Sequence, residues 1–120
     1  MDFDVTMFQI SRPGDPCWEA DLLAILDHYQ GALFPDVLAP IRSITFASLE
    51  SPGLVLIAMA EIEIDERLRN FTKLCCFVVL HELINNKFFW KYGKVPDYSS
   101  PEFKALVGDM LTRGAYDGLL

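Results

Sequence analysis

The sequence predicts one α+β domain: a small, mostly antiparallel sheet packed on a long helix, with further helices at its flanks. Three observations carry this. The 120-residue chain is 52% apolar, which is enough for one hydrophobic core and too much for a disordered chain. Two runs with strand character, Ile44 to Leu49 and about Leu54 to Ile64, flank a turn signal at Ser51-Pro52-Gly53. The stretch from Glu66 to about Tyr92 keeps an apolar helical spacing throughout. Residues 1–120 read as a single domain without repeats or low-complexity tracts.

The elements follow in order. Ser11 to Pro16 is a turn-rich lead-in. Trp18 to Gln30 carries apolar residues at Trp18, Leu22, Ile25, Leu26 and Tyr29, an amphipathic helix expected to stop at Gly31. Pro35 and Pro40 punctuate a short irregular or helical piece. Ser51-Pro52-Gly53 is placed to join the first strand to the second. The second strand ends in Glu61-Ile62-Glu63-Ile64-Asp65, alternating as one buried and one wet face should. Asp65 is a cap for the long helix, and Gly93 with Pro96 ends it. Ser100 as cap and Pro101 at the first helical position start a last helix through Phe103, Leu106, Val107, Met110 and Leu111. The tail from Gly114 to Leu120 has little pattern.

Charge and cysteine usage narrow the function. Ten Lys and Arg stand against 17 Asp and Glu, a net charge of −7 that repels phosphate backbones, so a nucleic-acid partner is not expected. No polybasic run suits an anionic membrane surface. The longest apolar runs, Leu54 to Ala60 and Leu74 to Leu80, fall far short of the roughly 20 residues a membrane span needs. The start, Met-Asp-Phe-Asp-Val-Thr, lacks the cationic and apolar regions of a signal peptide. Three cysteines, two of them adjacent at Cys75 and Cys76, suit buried thiols in a reducing cytoplasm.

The most informative stretch is Phe77-Val-Val-Leu-His81-Glu82-Leu-Ile-Asn85. A helical His-Glu-x-x-His puts two imidazoles one turn apart beside a carboxylate that activates a metal-bound water. Here His81 and Glu82 are present and Asn85 replaces the second His. Phe71, Leu74, Phe77, Val78, His81, Ile84, Asn85 and Phe88 share one helical face, and Leu74 to Ile84 is apolar nearly all round, so a buried central helix is expected. On such a helix the pair can equally be core groups satisfied by neighbouring hydrogen bonds.

The wider chain resembles the SprT-like group of zincin metallopeptidases. The resemblance runs over about residues 44 to 111. It rests on Ile62-x-Ile64-x-x-x-Leu68, Leu80-His81-Glu82-Leu83-Ile84, Lys91-Tyr92-Gly93 and Pro101-Glu102-Phe103-Lys104, in that order. It implies a zincin-like minimal domain with His81 as first metal ligand and Glu82 as catalytic general base. Asn85 stands at the second ligand, and Ser99, four residues before Phe103, at the third. The family's zinc ribbon and basic character are absent from this sequence. An amide and a hydroxyl are poor zinc donors. Asp97 in the same loop could complete an oxygen-rich set with His81 and Asn85, better suited to manganese, iron or magnesium. The cofactor expectation is therefore none, or a weakly held divalent metal, zinc in the family.

Three functions stay open: a zincin-fold domain that has lost peptidase activity and binds a protein or peptide partner, a metal-dependent hydrolase with a non-standard ligand set, and an unrelated α+β interaction protein. The scaffold reading expects little loss of stability on Glu82→Gln. The aromatic cluster Phe88, Phe89, Trp90 and Tyr92 reads as core and boundary packing, or as a partner or homodimer patch. The acidic comb Glu61, Glu63, Asp65 is a wet strand face, or a cleft-side strand that pairs with a basic peptide. His28 reads as a surface residue, and Cys75 and Cys76 as buried packing.

Overall fold

The computed structural model describes residues 16–37 and 39–119. The lead-in before Pro16 and the acidic N-terminal segment lie outside the described residues. Helix α1 spans Glu19–Leu33, strands β1, β2 and β3 span Ser43–Ala47, Gly53–Leu56 and Glu61–Asp65, helix α2 spans Thr72–Tyr92, and helix α3 spans Pro101–Thr112. The fold is α+β. Helix α2 packs against β2 and β3, α1 against β1 and α2, and α3 against α2. Among the described residues no helix is long and apolar enough to cross a membrane.

The sheet is mixed rather than mostly antiparallel. Its order is β1-β3-β2, with β3 parallel to β1 and antiparallel to β2. The expected second strand breaks in its middle. Ile57–Met59 form a 3-10 turn, and Ala60 closes it in the left-handed region at φ 53°. The segment therefore folds back on itself as the β2–β3 hairpin, with Gly53 opposite Ile64 and Leu56 opposite Glu61. Ser51-Pro52-Gly53 makes no hairpin between β1 and β2. The end of β3 lies between them instead. Asp65 donates its backbone N–H to Pro52 O at 2.8 Å, and its carboxylate accepts from the Leu49 N–H at 3.4 Å, holding the loop across the strand end.

Local chemistry explains the helix limits. Helix α1 passes through Gly31 to Leu33, where the Arg113 guanidinium donates to the carbonyls of Ala32 and Leu33 at 3.0 Å each. These bonds cap orphan C-terminal carbonyls from across the molecule. The Asp65 carboxylate is taken by Leu49 and Arg67, so it does not cap α2. A 3-10 turn over Glu66–Leu68 follows, and α2 begins six residues later than expected, at Thr72. Gly93 ends it at φ 67°, donating to Phe89 O at 2.7 Å. Ser100 caps α3 as expected, accepting from the Phe103 N–H at 3.2 Å.

The core joins Leu22, Ile25, Leu26 and Tyr29 of α1, Ile62 and Ile64 of β3, and Leu80, Leu83, Ile84 and Phe88 of α2. The expected face of α2 is buried at Val78, Ile84, Asn85 and Phe88, but its first turns are rotated away from it. Cys75, Cys76, Val79, Leu80 and Leu83 are inside, whereas Phe71, Leu74 and Phe77 are 55%, 49% and 39% exposed. His28 is half-buried against the Tyr29 ring rather than a surface residue.

Candidate functional site

The edge strand β2 approaches α2 closely because residue 53 is glycine. A β-carbon there would collide with Val78 Cγ1 and press on the Glu63 carbonyl oxygen at 3.1 Å. Two adjoining cavities of about 480 and about 370 Å³ run along this approach. Ser51, Gly53, Glu82 and Tyr98 border both. Leu54, Val55 and Ile57 line the larger one from the sheet side, and Asn85 and Phe89 from the helix side. His81 borders the smaller one. The loop after α2 closes the cleft through Val95, Pro96 and Tyr98. A separate hollow of about 290 Å³ beside Trp90 is bordered by Lys87, Lys91 and Asp36, with Lys87 and Asp36 3.8 Å apart.

Three of the residues singled out by sequence meet at this cleft: His81, Glu82 and Asn85. Glu82 and Asn85 are 4% and 5% exposed. The Asn85 amide donates through Nδ2 to Glu82 Oε1 at 3.0 Å. Glu82 Oε2 and Asn85 Oδ1 are buried and have no hydrogen-bond partner among the described residues. Burial pushes the Glu82 carboxyl up to about 7, against a smaller lowering from the Asn85 amide. Burial lowers the His81 imidazole, which favours its neutral form. The His81 ring lies 5.4 Å from Tyr98 and 6.4 Å from Phe103, centroid to centroid.

Asp97 and Ser99 do something else. Ser99 donates its hydroxyl and its backbone N–H to Asp97 Oδ1, at 2.8 and 3.0 Å. Those bonds hold the Asp97 carboxyl below its ordinary range. Both residues are exposed and border neither cavity. The loop does pass over His81, but it presents Tyr98. Sequence reasoning missed this residue; the only available signal was an aromatic ring set within a polar capping turn. The acidic comb is also displaced from the cleft. It lies on β3, which is paired on both sides, with Asp65 buried and Glu61 and Glu63 half-buried. The strand at the cleft is the apolar β2. Of the aromatic cluster, Phe88 is core, Phe89 borders the cleft, and Trp90 is 47% exposed with its indole N–H donated to Asn86.

No family model, curated protein or solved structure matches this chain.

The donors at the cleft do not fit catalytic zinc, which takes three firm protein ligands and keeps a fourth position for water. One imidazole and one amide oxygen are at hand, and the loop's oxygen donors are bonded to each other. Among the described residues no three His, Cys, Asp or Glu side chains converge. What the arrangement offers is a dehydrated acceptor pair beside an apolar strand edge.

Proposed function

We propose that this chain is an SprT-like zincin-fold domain that has lost peptidase activity and serves as a binding module for a protein or peptide. The observation that carries the reading is the hydrogen bond from Asn85 to Glu82. A general base must reach the water it activates. Here the residue at the second ligand position turns its N–H toward the carboxylate and occupies one of its oxygens. The order of three strands, long helix, capping turn and final helix supports family membership, as does the loop that crosses His81. The edge position of β2 among the described residues supports a binding role, because an extended peptide can add to a strand edge while its side chains enter the cleft. Three free thiols, Cys17, Cys75 and Cys76, support a reducing, cytoplasmic setting.

The test has two arms. Metal content after soaking with zinc, manganese, iron and magnesium is expected to stay well below one per chain, and an unstructured protein substrate is expected to stay intact. Extended peptides selected on the chain are expected to lose binding when Val55 is changed to Arg, and to be indifferent to chelators. Stoichiometric metal with cleavage that Glu82→Gln abolishes would refute the reading.

A further inference from the structure

We infer that the floor of this cleft is a receptor for a guanidinium group. The inference rests on the binding-module reading above and names the ligand chemistry of the same site. Its starting point is an imbalance. Asn85 Nδ2 is spent on Glu82 Oε1, and the pair keeps two buried acceptors, Glu82 Oε2 and Asn85 Oδ1, with no hydrogen-bond partner among the described residues. A buried acceptor left unpaired destabilises the fold, and more so when it is charged. Leu54, Val55 and Ile57 have no side-chain donor to offer, and the hydroxyls of Ser51 and Tyr98, which border the same cavity, bond to neither acceptor. The missing partner must therefore bring N–H groups, and a positive charge if it is to meet a carboxylate.

Among such groups, the guanidinium fits best. It carries five donors in a planar fork and so can serve two acceptors on different residues at once. An ammonium is a compact point charge that keeps its water more tightly. Tyr98 and Phe89 border the cavity, and aromatic residues are the side chains on which a flat cation stacks. A cavity of about 480 Å³ admits the group with its stem. An anion would meet only acceptors at this floor. The net charge of −7 draws cations toward the chain as a whole.

The experiment uses the full chain and three probes: methylguanidinium, N-acetyl-argininamide, and N-acetyl-citrullinamide as the neutral isostere. Calorimetry and the carbon-13 shift of the Glu82 side-chain carboxyl report binding. The expected result is saturable one-to-one binding of both guanidinium probes, with citrulline weaker by ~10-fold or more. Glu82→Gln and Asn85→Ala, each checked for folding by circular dichroism, should each weaken the arginine probe by ~10-fold or more. Equal affinity for methylguanidinium and argininamide would assign the site to a small-molecule ligand, and tightening on adding flanking residues to a peptide arginine; either supports the inference. Absence of saturable binding, affinity that ignores both substitutions, or displacement of the probe by one equivalent of zinc would overturn it. If cleft-dependent peptides bind equally well without arginine, this inference fails while the binding-module reading stands. Metal-dependent cleavage would defeat that reading itself.

Discussion

Glu82 and Asn85, three residues apart on α2, are joined by a 3.0 Å hydrogen bond that neither shares with solvent. Their burial has a consequence for stability. The Glu82 carboxyl titrates near 7 when folded and near 4.5 when exposed, so its folded pKa is raised. The folded state then binds a proton more tightly than the unfolded chain, and this contribution is fully present below about 4.5 and is lost as pH rises through 7. At 1.36 kcal/mol per pKa unit the loss is about 3 kcal/mol. Glu82→Gln keeps an acceptor for Asn85 and removes the titration. Urea unfolding from pH 4.5 to 8 should show the parent losing about that much relative to the variant. Parallel pH profiles would mean that the carboxyl is not desolvated. His81 acts in the opposite sense: its lowered pKa withdraws stability as pH falls, and it does so in both proteins.

Gly53 sets the width of the cleft. An alanine β-carbon would clash with Val78 Cγ1 on α2 and press on the Glu63 carbonyl of β3, one of them backbone that cannot swing aside. Gly53→Ala should cost about 1–3 kcal/mol through forced repacking. It should also shift the amide resonances of Leu54 and Val55 more than those of β1. A neutral substitution would show that β2 does not pack on α2 at this distance.

Ala60 closes the β2–β3 hairpin at φ 53° and ψ 45°. A side chain in the left-handed region is strained by about 1–2 kcal/mol, and glycine relieves this at some cost in unfolded-state entropy. Ala60→Gly should therefore stabilise the chain by about 0.5–1 kcal/mol, read as a higher denaturation midpoint. The carbonyl of Ala60 also accepts from the backbone N–H of Arg42 at 2.7 Å, so the turn fixes where β1 begins. A destabilised variant would contradict this turn geometry.

The loop residue facing His81 is Tyr98, with ring centroids 5.4 Å apart, whereas Ser99 is turned into its bonds with Asp97. Imidazoles introduced by substitution should follow that geometry. Asn85→His combined with Tyr98→His is expected to bind zinc ~100-fold more tightly than the parent. Asn85→His combined with Ser99→His should gain less. Calorimetry with zinc distinguishes the two, and the reverse order would place Ser99 at the cleft.

The sequence made visible those features whose cause is local. The Ser100-Pro101 start, the Gly93 stop and the Leu22 to Tyr29 stripe each depend on a few neighbouring residues, and each stands where the pattern puts it. The sheet order was hidden because it depends on Asp65 bonding to residues 49 and 52, an interaction between a strand end and a loop that alternation does not encode. The phase of α2 was hidden for another reason. A helix apolar on most sides has no unique face, so Phe71, Leu74 and Phe77 looked as internal as Cys75 and Val79. At the site, His81, Glu82 and Asn85 were legible from helical spacing alone. Gly53 and Tyr98 were not, because their roles come from contacts between elements.

The three thiols offer a probe of the contact between the start of α1 and the start of α2. Cys17, Cys75 and Cys76 are all buried. Arg69 ties this corner together. It donates to the Cys17 carbonyl at 3.3 Å and to Glu19 at 3.2 Å, and its guanidinium lies over the Phe46 ring at 4.3 Å. The neighbouring Cys75 thiol lowers Cys17, whereas Cys17 and burial push Cys75 up, and burial drives Cys76 up to about 12. The thiolate is the reactive form, so alkylation should be slow overall and Cys17 should react first. Arg69→Ala should open the corner and speed Cys17 labelling by ~10-fold or more while leaving Cys76 protected, as read by mass spectrometry of digested samples over time. Equal labelling rates at all three cysteines would mean that reaction proceeds through global unfolding, and that Arg69 does not hold the corner shut.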